Sequence, residues 1–419
     1  MKSKTNIHQQ AAELIRPIAE PHVPDGSTIE AVVDQWLHAI ATNSDFYCNQ
    51  SVTNSNKLKS SVISALQAND LYVNRESFYE AIFGGLKLKP AKDAVFRFID
   101  LFAGIGGVRL GFQQAGGACV FSSEFDKHAQ LTYKKNHGEF PFGDITLISP
   151  EEIPDHDVLL AGFPCQPFSH AGLKLGIEDT RGTLFHDITK IIEKKKPRFA
   201  LLENVKGLIS HDKGYTLKVV LKTLTRIGYS CNIPREIIEH GTTKEIQTLA
   251  REMVLKSVDF GIPQNRQRIY IVLWKDGEIE NFEYPKAIDV DTRVGDILDA
   301  EPDESLTISD RLWEGHQRRK VQNKINGKGF GYGLVSVDSA YTNTISARYY
   351  KDGSEILIDQ GNKNPRKISP REAARLQGFP NEFEPSDSKV QAYKQFGNSV
   401  TVNVVNALAE QIKILVRES

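Results

Sequence analysis

Four side chains stand where their types and spacing suit chemistry. Cys165 lies in residues 161–169, AGFPCQPFS. A cysteine between prolines, just past an apolar strand, is held rigidly at the carboxyl edge of a sheet, where α/β proteins bind ligands. That is a nucleophile's position. The bland alternative, a buried inert thiol, is the commoner fate of cysteine and suits Cys119 and Cys231. Glu203, in LLENV at 201–205, ends a second apolar run at the same edge. It reads as a buried acid whose pKa is raised enough to give or share a proton. Arg266 and Arg268, in PQNRQR at 263–268, precede a third run. In an extended segment they point to one side and suit a bound phosphate or a polarised carbonyl oxygen, although two surface arginines are the default for such a pair.

A binding function is written upstream. The segment DLFAGIGG, 100–107, follows an apolar run and precedes a helix reaching Gln114. Glycines such as Gly104 and Gly106 let the backbone turn tightly and approach a ligand, and the following helix N-terminus favours negative charge. Arg109 occupies the place of the last glycine of a dinucleotide fingerprint, which weakens a hydride-transferring dehydrogenase. Glu124 comes 20 residues after Gly104, where α/β folds hydrogen-bond ribose hydroxyls. Phe125 suits stacking on an adenine ring, and Gly143, Asp144 and Ile145 could offer an acceptor for its exocyclic amine. Singly, the two carboxylates read as solvated loop residues and Phe125 as core; their common place beyond successive strands raises them.

The elements that must position these residues alternate. Short β-prone runs at 96–102, 118–123, 158–161, 199–202 and 269–274 are mostly separated by helical or glycine-rich segments, which predicts a doubly wound, Rossmann-like α/β sheet. Before it, residues 1–92 read as a helical extension. Ile29, Val32, Val33, Trp36 and Ile40 recur at helical spacing behind a Ser27-x-x-Glu30 capping box, and a second helix spans 57–68. Residues 93–274, completed by 388–419 with its helix at 402–414, form the catalytic domain, and 275–387, with a helix at 370–376, form a smaller domain.

Bulk composition narrows the classes. At 419 residues, 40% apolar and 25% charged, the chain suits a globular protein of more than one domain. A net charge of −1 leaves any phosphate-contacting surface as a local patch. Four cysteines without CxxC spacing argue against structural zinc and a disulfide scaffold, so no metal site is expected. No apolar leader or bilayer-length apolar stretch is visible, which reads as a cytoplasmic protein without membrane association.

Motif order adds a resemblance. With DLFAGIGG at 100–107, GFPCQPFS at 162–169, DTRGTLF at 179–185, ENVKGL at 203–208, QNRQR at 264–268, REAARLQGFP at 371–380 and QFGNSV at 395–400, the chain resembles the bacterial DNA cytosine-5 methyltransferases, Dcm-like members included, from about residue 95 onward. The resemblance implies methyl transfer from S-adenosyl-L-methionine to C5 of a flipped-out cytosine in double-stranded DNA. Cys165 adds to C6 as a thiolate, Glu203 engages N3 and the 4-amino group, and Arg268 contacts O2, with Arg266 nearby. By motif position Phe102, Gly104, Glu124, Phe125, Asp144, Leu184, Asn398 and Val400 line the cofactor pocket, while 166–182, beginning at Gln166, forms a lid. Asn398 is expected beside the first glycine loop.

Target recognition falls mostly in 281–368. Arg311, Arg318, Arg319, Lys320, Lys324 and Lys328 form a local basic patch suited to phosphate, although a charge run is usually a solvated face. Residues 327–333 and 344–353, with Arg348 and Tyr349, resemble the recognition region of Dcm-like enzymes, which implies a CCWGG or related CCGG site. A monomer is expected, serving in a restriction-modification system or as an orphan methylase; any cognate endonuclease would act on the same site without binding the chain. Two rivals remain: a tRNA cytosine-5 methyltransferase, which the basic patch and long recognition region disfavour, and a catalytically silent DNA-binding regulator, which the intact reactive residues disfavour. The N-terminal helices are expected to serve structural packing or DNA clamping.

Overall fold

Apolar runs buried on both faces make the central sheet. In the computed structural model, which describes residues 4–163, 184–329 and 331–418, strands β1 (Phe96–Leu101), β2 (Gly117–Ser123), β3 (Val158–Gly162), β4 (Phe199–Val205), β5 (Tyr229–Ser230), β6 (Val254–Lys256) and β7 (Gln267–Lys275) include all five expected runs. Their path is β2-β1-β3-β4-β7-β5. The first four are parallel, and β7 runs antiparallel to both β4 and β5. β2 is buried at every residue, as befits a parallel strand covered on both faces. After β2 the chain returns to the other side of β1 to form β3. That reversal creates a crevice at the carboxyl ends of β1 and β3, where ligands of open α/β sheets bind. The glycine loop follows β1, and the Cys165 segment follows β3. Cys165 and Gln166 themselves lie outside the described residues.

Helices α1 (Lys4–Ala19), α2 (Ile29–Thr42), α3 (Ser55–Ala68) and α4 (Arg75–Phe83) precede the sheet. Their apolar residues, among them Ile15, Trp36, Val62 and Phe83, join one continuous core with Ile99, Leu101, Val120 and Phe121 of the sheet. The expected capping box does not form, because the N-cap lies one residue later and its N3 position is Ala31. Thr28, not Ser27, caps α2 by accepting from the Ala31 N–H, and Glu30 pairs with Arg16 at 2.6 Å. Ser27 has been drawn away to accept from the Gly143 N–H at 3.4 Å.

The sheet is flanked by α5 (Gly107–Gln114), α6 (Lys127–His137), α7 (Leu184–Lys195) and α8 (Tyr215–Arg226), with short helices α9 (Arg235–His240) and α10 (Thr243–Leu249). The chain divides into two compact units. One comprises Met1–Val254, Arg268–Tyr284 and Leu408–Ser419; the other comprises Leu255–Gln267 and Pro285–Ala407. The second contains α11 (Asp310–Ile325), a small sheet of β8 (Leu334–Val335), β9 (Leu357–Gln360) and β10 (Lys363–Arg366), then α12 (Pro370–Arg375) and α13 (Lys389–Asn398). A final helix, α14 (Val402–Glu418), begins in the second unit and ends in the first. Among the described residues no single helix is long and apolar enough to cross a membrane.

Candidate active site

The glycine loop is built for a backbone approach. Phe102, Gly104 and Gly106 all have positive φ, 58°, 57° and 83°, so the chain reverses sharply between β1 and α5. At Gly106 no side chain fits, because a Cβ would stand 2.1 Å from the His137 ring nitrogen. Gly104 faces open space instead, with nothing within 4 Å of where its Cβ would be. Its N–H donates to the Glu124 carboxylate at 2.8 Å, and the Asp126 N–H donates to the other oxygen at 2.7 Å. Glu124 therefore ties the end of β2 to the loop after β1. Burial raises its pKa, and those backbone N–H groups only partly oppose the shift.

The neighbouring expectations separate. Phe125 is 76% exposed, an open apolar ring beside an anchored carboxylate. The Asp144 carboxylate accepts from the Thr146 N–H at 3.0 Å and hydroxyl at 2.8 Å, capping the turn in which Ile145 is buried. Leu184 opens α7 and is half-buried. Asn398, exposed at the end of α13, and buried Val400 belong to the second unit.

At the other end of the crevice, Glu203 lies beside Gly162 in the β3–β4 register. Its carboxylate comes within 3.4 Å of where a Gly162 Cβ would be, so a side chain there would press on the acid. Across the antiparallel ladder, Glu203 pairs with Tyr270 and Val205 with Arg268. Arg268 is thus the diagonal neighbour of Glu203 on one face, and its Nε reaches the carboxylate at 3.2 Å. Asn204 points the other way and donates to the Phe163 carbonyl at 2.9 Å, anchoring the last described residue before the Cys165 segment. The positioning role of Asn204 escapes a sequence reading because its neighbour Glu203 takes the attention.

Arg266 does something different from Arg268. It precedes β7, is 2% exposed, and donates to the carbonyls of Ile345 at 3.3 Å, Gly397 at 3.2 Å and Ser399, all within the second unit. Those bonds tie the guanidinium to backbone carbonyls. Buried Gln264 works alongside, donating to the Leu376 carbonyl at 2.7 Å and accepting from the Ile345 N–H at 3.0 Å.

Within the second unit α11 is polar nearly all round, with only His316 buried. Arg318 is exposed, Arg319 pairs with Asp352 at 3.0 Å, and the Lys320 ammonium sits 4.2 Å from the centre of the Tyr332 ring. Arg348 is exposed. Tyr349 corrects the expectation of a DNA-facing residue: it is fully buried, donating to the Ile356 carbonyl at 2.7 Å and accepting from the Ile368 N–H at 2.9 Å. A buried phenol needs such partners, and finding both internally makes Tyr349 a packing residue.

A buried charged cluster that no motif announced lies under the glycine loop. Arg109 of α5 bonds the Glu139 carboxylate and the Tyr133 hydroxyl, the latter at 2.8 Å, and His38 of α2 meets the other Glu139 oxygen at 2.7 Å. Burial opposes the Glu139 charge, yet Arg109 and His38 hold its pKa down to about 2. The only hint in the sequence is Arg109 at a glycine's place.

Comparison with known proteins gives a consistent picture. The profile of the family described as C-5 cytosine-specific DNA methylase matches residues 96–414. The chain is 59% identical over 322 residues to the Type II methyltransferase M.NlaX of Neisseria lactamica, covering 76% of this chain and 96% of that protein. It is 38% identical over 390 residues to the DNA-cytosine methyltransferase of Escherichia coli (strain K12), with 77% and 79% covered. In fold it is similar to the crystal structure of S. pombe Dnmt2 methyltransferase, with a TM-score of 0.59, 22% identity, and 77% of this chain and 99% of that chain covered.

Proposed function

The chain belongs to the C-5 cytosine-specific DNA methylase family, and on that premise we propose that it methylates C5 of a cytosine rotated out of a short duplex DNA site, with Cys165 as covalent nucleophile and S-adenosylmethionine as donor. The observation that carries this reading is the Glu203–Arg268 pair at the carboxyl edge of β4, beside the end of β3 that leads into the Cys165 segment.

The residues present fit the donor. The open Gly104 backbone, the anchored Glu124 carboxylate and the exposed Phe125 ring suit a nucleoside, with Glu124 for the ribose hydroxyls and Phe125 for the adenine face. Phe102, Gly106, Asp144, Ile145 and Leu184 are assigned to that side by motif position. When bound, S-adenosylmethionine supplies an electrophilic methyl group. Carbon 5 of cytosine is a poor nucleophile, so the chain must first activate the ring. The Cys165 thiolate adds to C6, forming a C–S bond, while Glu203 holds or shares a proton at N3 and Arg268 supports negative charge at O2. Electron density then rises at C5. After C5 gains its methyl group, its proton passes to water or hydroxide, and that C–H electron pair re-forms the C5–C6 double bond as the C–S bond breaks, returning the thiolate.

Target reading is assigned to the small domain, 275–387, with Arg318, Arg319, Lys320 and Arg348 toward phosphate and base. The exposed basic face of α11 supports that assignment. The proposed site begins CC, as in CCWGG or CCGG; bisulfite sequencing of host DNA after expression tests it, and methylation in another context would overturn it. The reaction is tested by incubating the enzyme and S-adenosylmethionine with duplexes carrying 5-fluorocytosine, where fluorine blocks the final elimination. A denaturation-resistant adduct that disappears in Cys165→Ser is expected. No adduct with any such duplex overturns the mechanism.

A further inference from the structure

We propose that the N-terminal helical segment, which precedes the family match at residue 96, is a working part of the donor site: residues of 26–47 clamp the 139–144 loop against which Glu124 is set. This rests on the reading of Glu124 and Asp144 as donor-binding residues.

Helix α2 is buried from Ala31 to Ala41, polar residues included. Burying Asp34, Gln35 and His38 without partners would be costly, so where their bonds go shows what the helix is for. Asp34 and His38 reach the 139–144 loop, while Gln35 bonds β2 and its own segment, at the Asp45 carbonyl and the Tyr47 N–H. The Asp34 carboxylate accepts from the Phe140 N–H at 2.9 Å and from the Lys134 ammonium at 2.7 Å. His38 meets Glu139 at 2.7 Å, and Glu139 also holds Arg109 on α5, the helix that follows the glycine loop. Gln35 donates to the Val120 carbonyl of β2 at 3.1 Å.

Two flanking contacts extend the grip. The Tyr47 ring packs on Phe142 with centroids 4.5 Å apart. Gly143 approaches Gly26 so closely that a Cβ on it would stand 1.9 Å from the Gly26 carbonyl oxygen, and its N–H donates to Ser27. The loop is therefore held at Glu139, Phe140, Phe142 and Gly143, all from the N-terminal segment. The same loop accepts the Glu124 N–H on the Phe142 carbonyl at 2.8 Å and leads directly into Asp144. A shift in the clamp must move the backbone that carries Glu124 and Asp144. Asp34 and His38 are positioning residues: they touch the loop, and the loop leads into Asp144 and accepts the Glu124 N–H.

The test uses the full-length enzyme, with steady-state methyl transfer to a cytosine duplex and calorimetric binding of S-adenosylmethionine. Asp34→Ala is expected to raise KM for S-adenosylmethionine about tenfold, the scale of a lost charged hydrogen bond, with kcat and KM for DNA within about twofold. Asp34→Asn keeps an acceptor oxygen and should recover most of the difference. Gly26→Ala places a Cβ 2.8 Å from the Leu147 side chain and 3.8 Å from that of Asp144; it should raise the same constant less, and it carries the test should Asp34→Ala fail to fold. Val62→Ala on α3, fully buried in the helical layer, should lower Tm and leave KM unchanged. The clamp is overturned if Asp34→Ala and Gly26→Ala both bind S-adenosylmethionine as wild type does, or if Val62→Ala weakens binding equally. A wild-type enzyme that binds no S-adenosylmethionine would instead overturn the donor reading and the clamp with it.

Discussion

Glu203 and Arg268 meet diagonally across β4 and β7, carboxylate to guanidinium at 3.2 Å, with each side chain 16% exposed. A pair so sheltered yet still reachable suits a base held at N3 and O2. Glu203→Gln keeps the shape and loses the acid, so kcat should fall on the order of 100-fold or more, with KM for S-adenosylmethionine little changed. Single-turnover methyl transfer measures this; an unchanged kcat would remove Glu203 from the chemistry.

Arg268→Lys keeps a charge but not the planar fork. It should give a kcat between wild type and Arg268→Ala. A lysine variant as fast as wild type would argue that the planar fork does not matter, and one as slow as alanine that charge alone contributes nothing.

Glu124 holds two backbone N–H groups, from Gly104 and Asp126. Glu124→Gln should weaken S-adenosylmethionine binding roughly tenfold or more, on the scale of a charged hydrogen bond. Titration calorimetry without DNA reads this directly, and binding within twofold of wild type would count against the ribose assignment.

Asp100, at the end of β1, is 1% exposed, and neither carboxylate oxygen accepts a hydrogen bond of good geometry. Burial raises its pKa from 3.8 to about 7, and Arg109 only partly opposes this. The sign follows: with the folded value above the unfolded one, the protonated acid favours folding below about pH 4, and that contribution is lost as pH rises through 7. Between 3.8 and about 7 the difference is worth about 4 kcal/mol. Urea unfolding should show wild type losing stability relative to Asp100→Asn between pH 4 and 8. Parallel pH profiles would show that Asp100 does not titrate as its burial implies.

Arg266→Ala removes the donor to three backbone carbonyls inside the second unit. It should cost about 3 kcal/mol, the upper range for charged hydrogen bonds, and expose 285–407 to limited proteolysis. An Arg266→Ala enzyme of wild-type stability and low kcat would instead return Arg266 to the chemistry.

Much of this architecture was legible beforehand. The five apolar runs became strands because a sheet covered on both faces needs them, and Cys165, Glu203 and Gly104 stood out because reactive or turning residues sat at run ends. Two side chains depend on tertiary information. Strand alternation pairs Arg266 with Arg268 but says nothing of the Ile345 and Ser399 carbonyls that Arg266 meets 79 and 133 residues away. Tyr349, expected among the recognition residues, has both its hydrogen bonds inside the fold.

Hydrophobic period and turn chemistry act over a few residues, so the alternation of strands and helices and the order of the reactive motifs are legible in the chain. How the buried polar groups are satisfied emerges from folding alone: Glu203 by Arg268 across a ladder, and Asp34 by Lys134, 100 residues away. Those choices follow from which surfaces pack together, since a polar group removed from water must find its partner wherever the fold brings one.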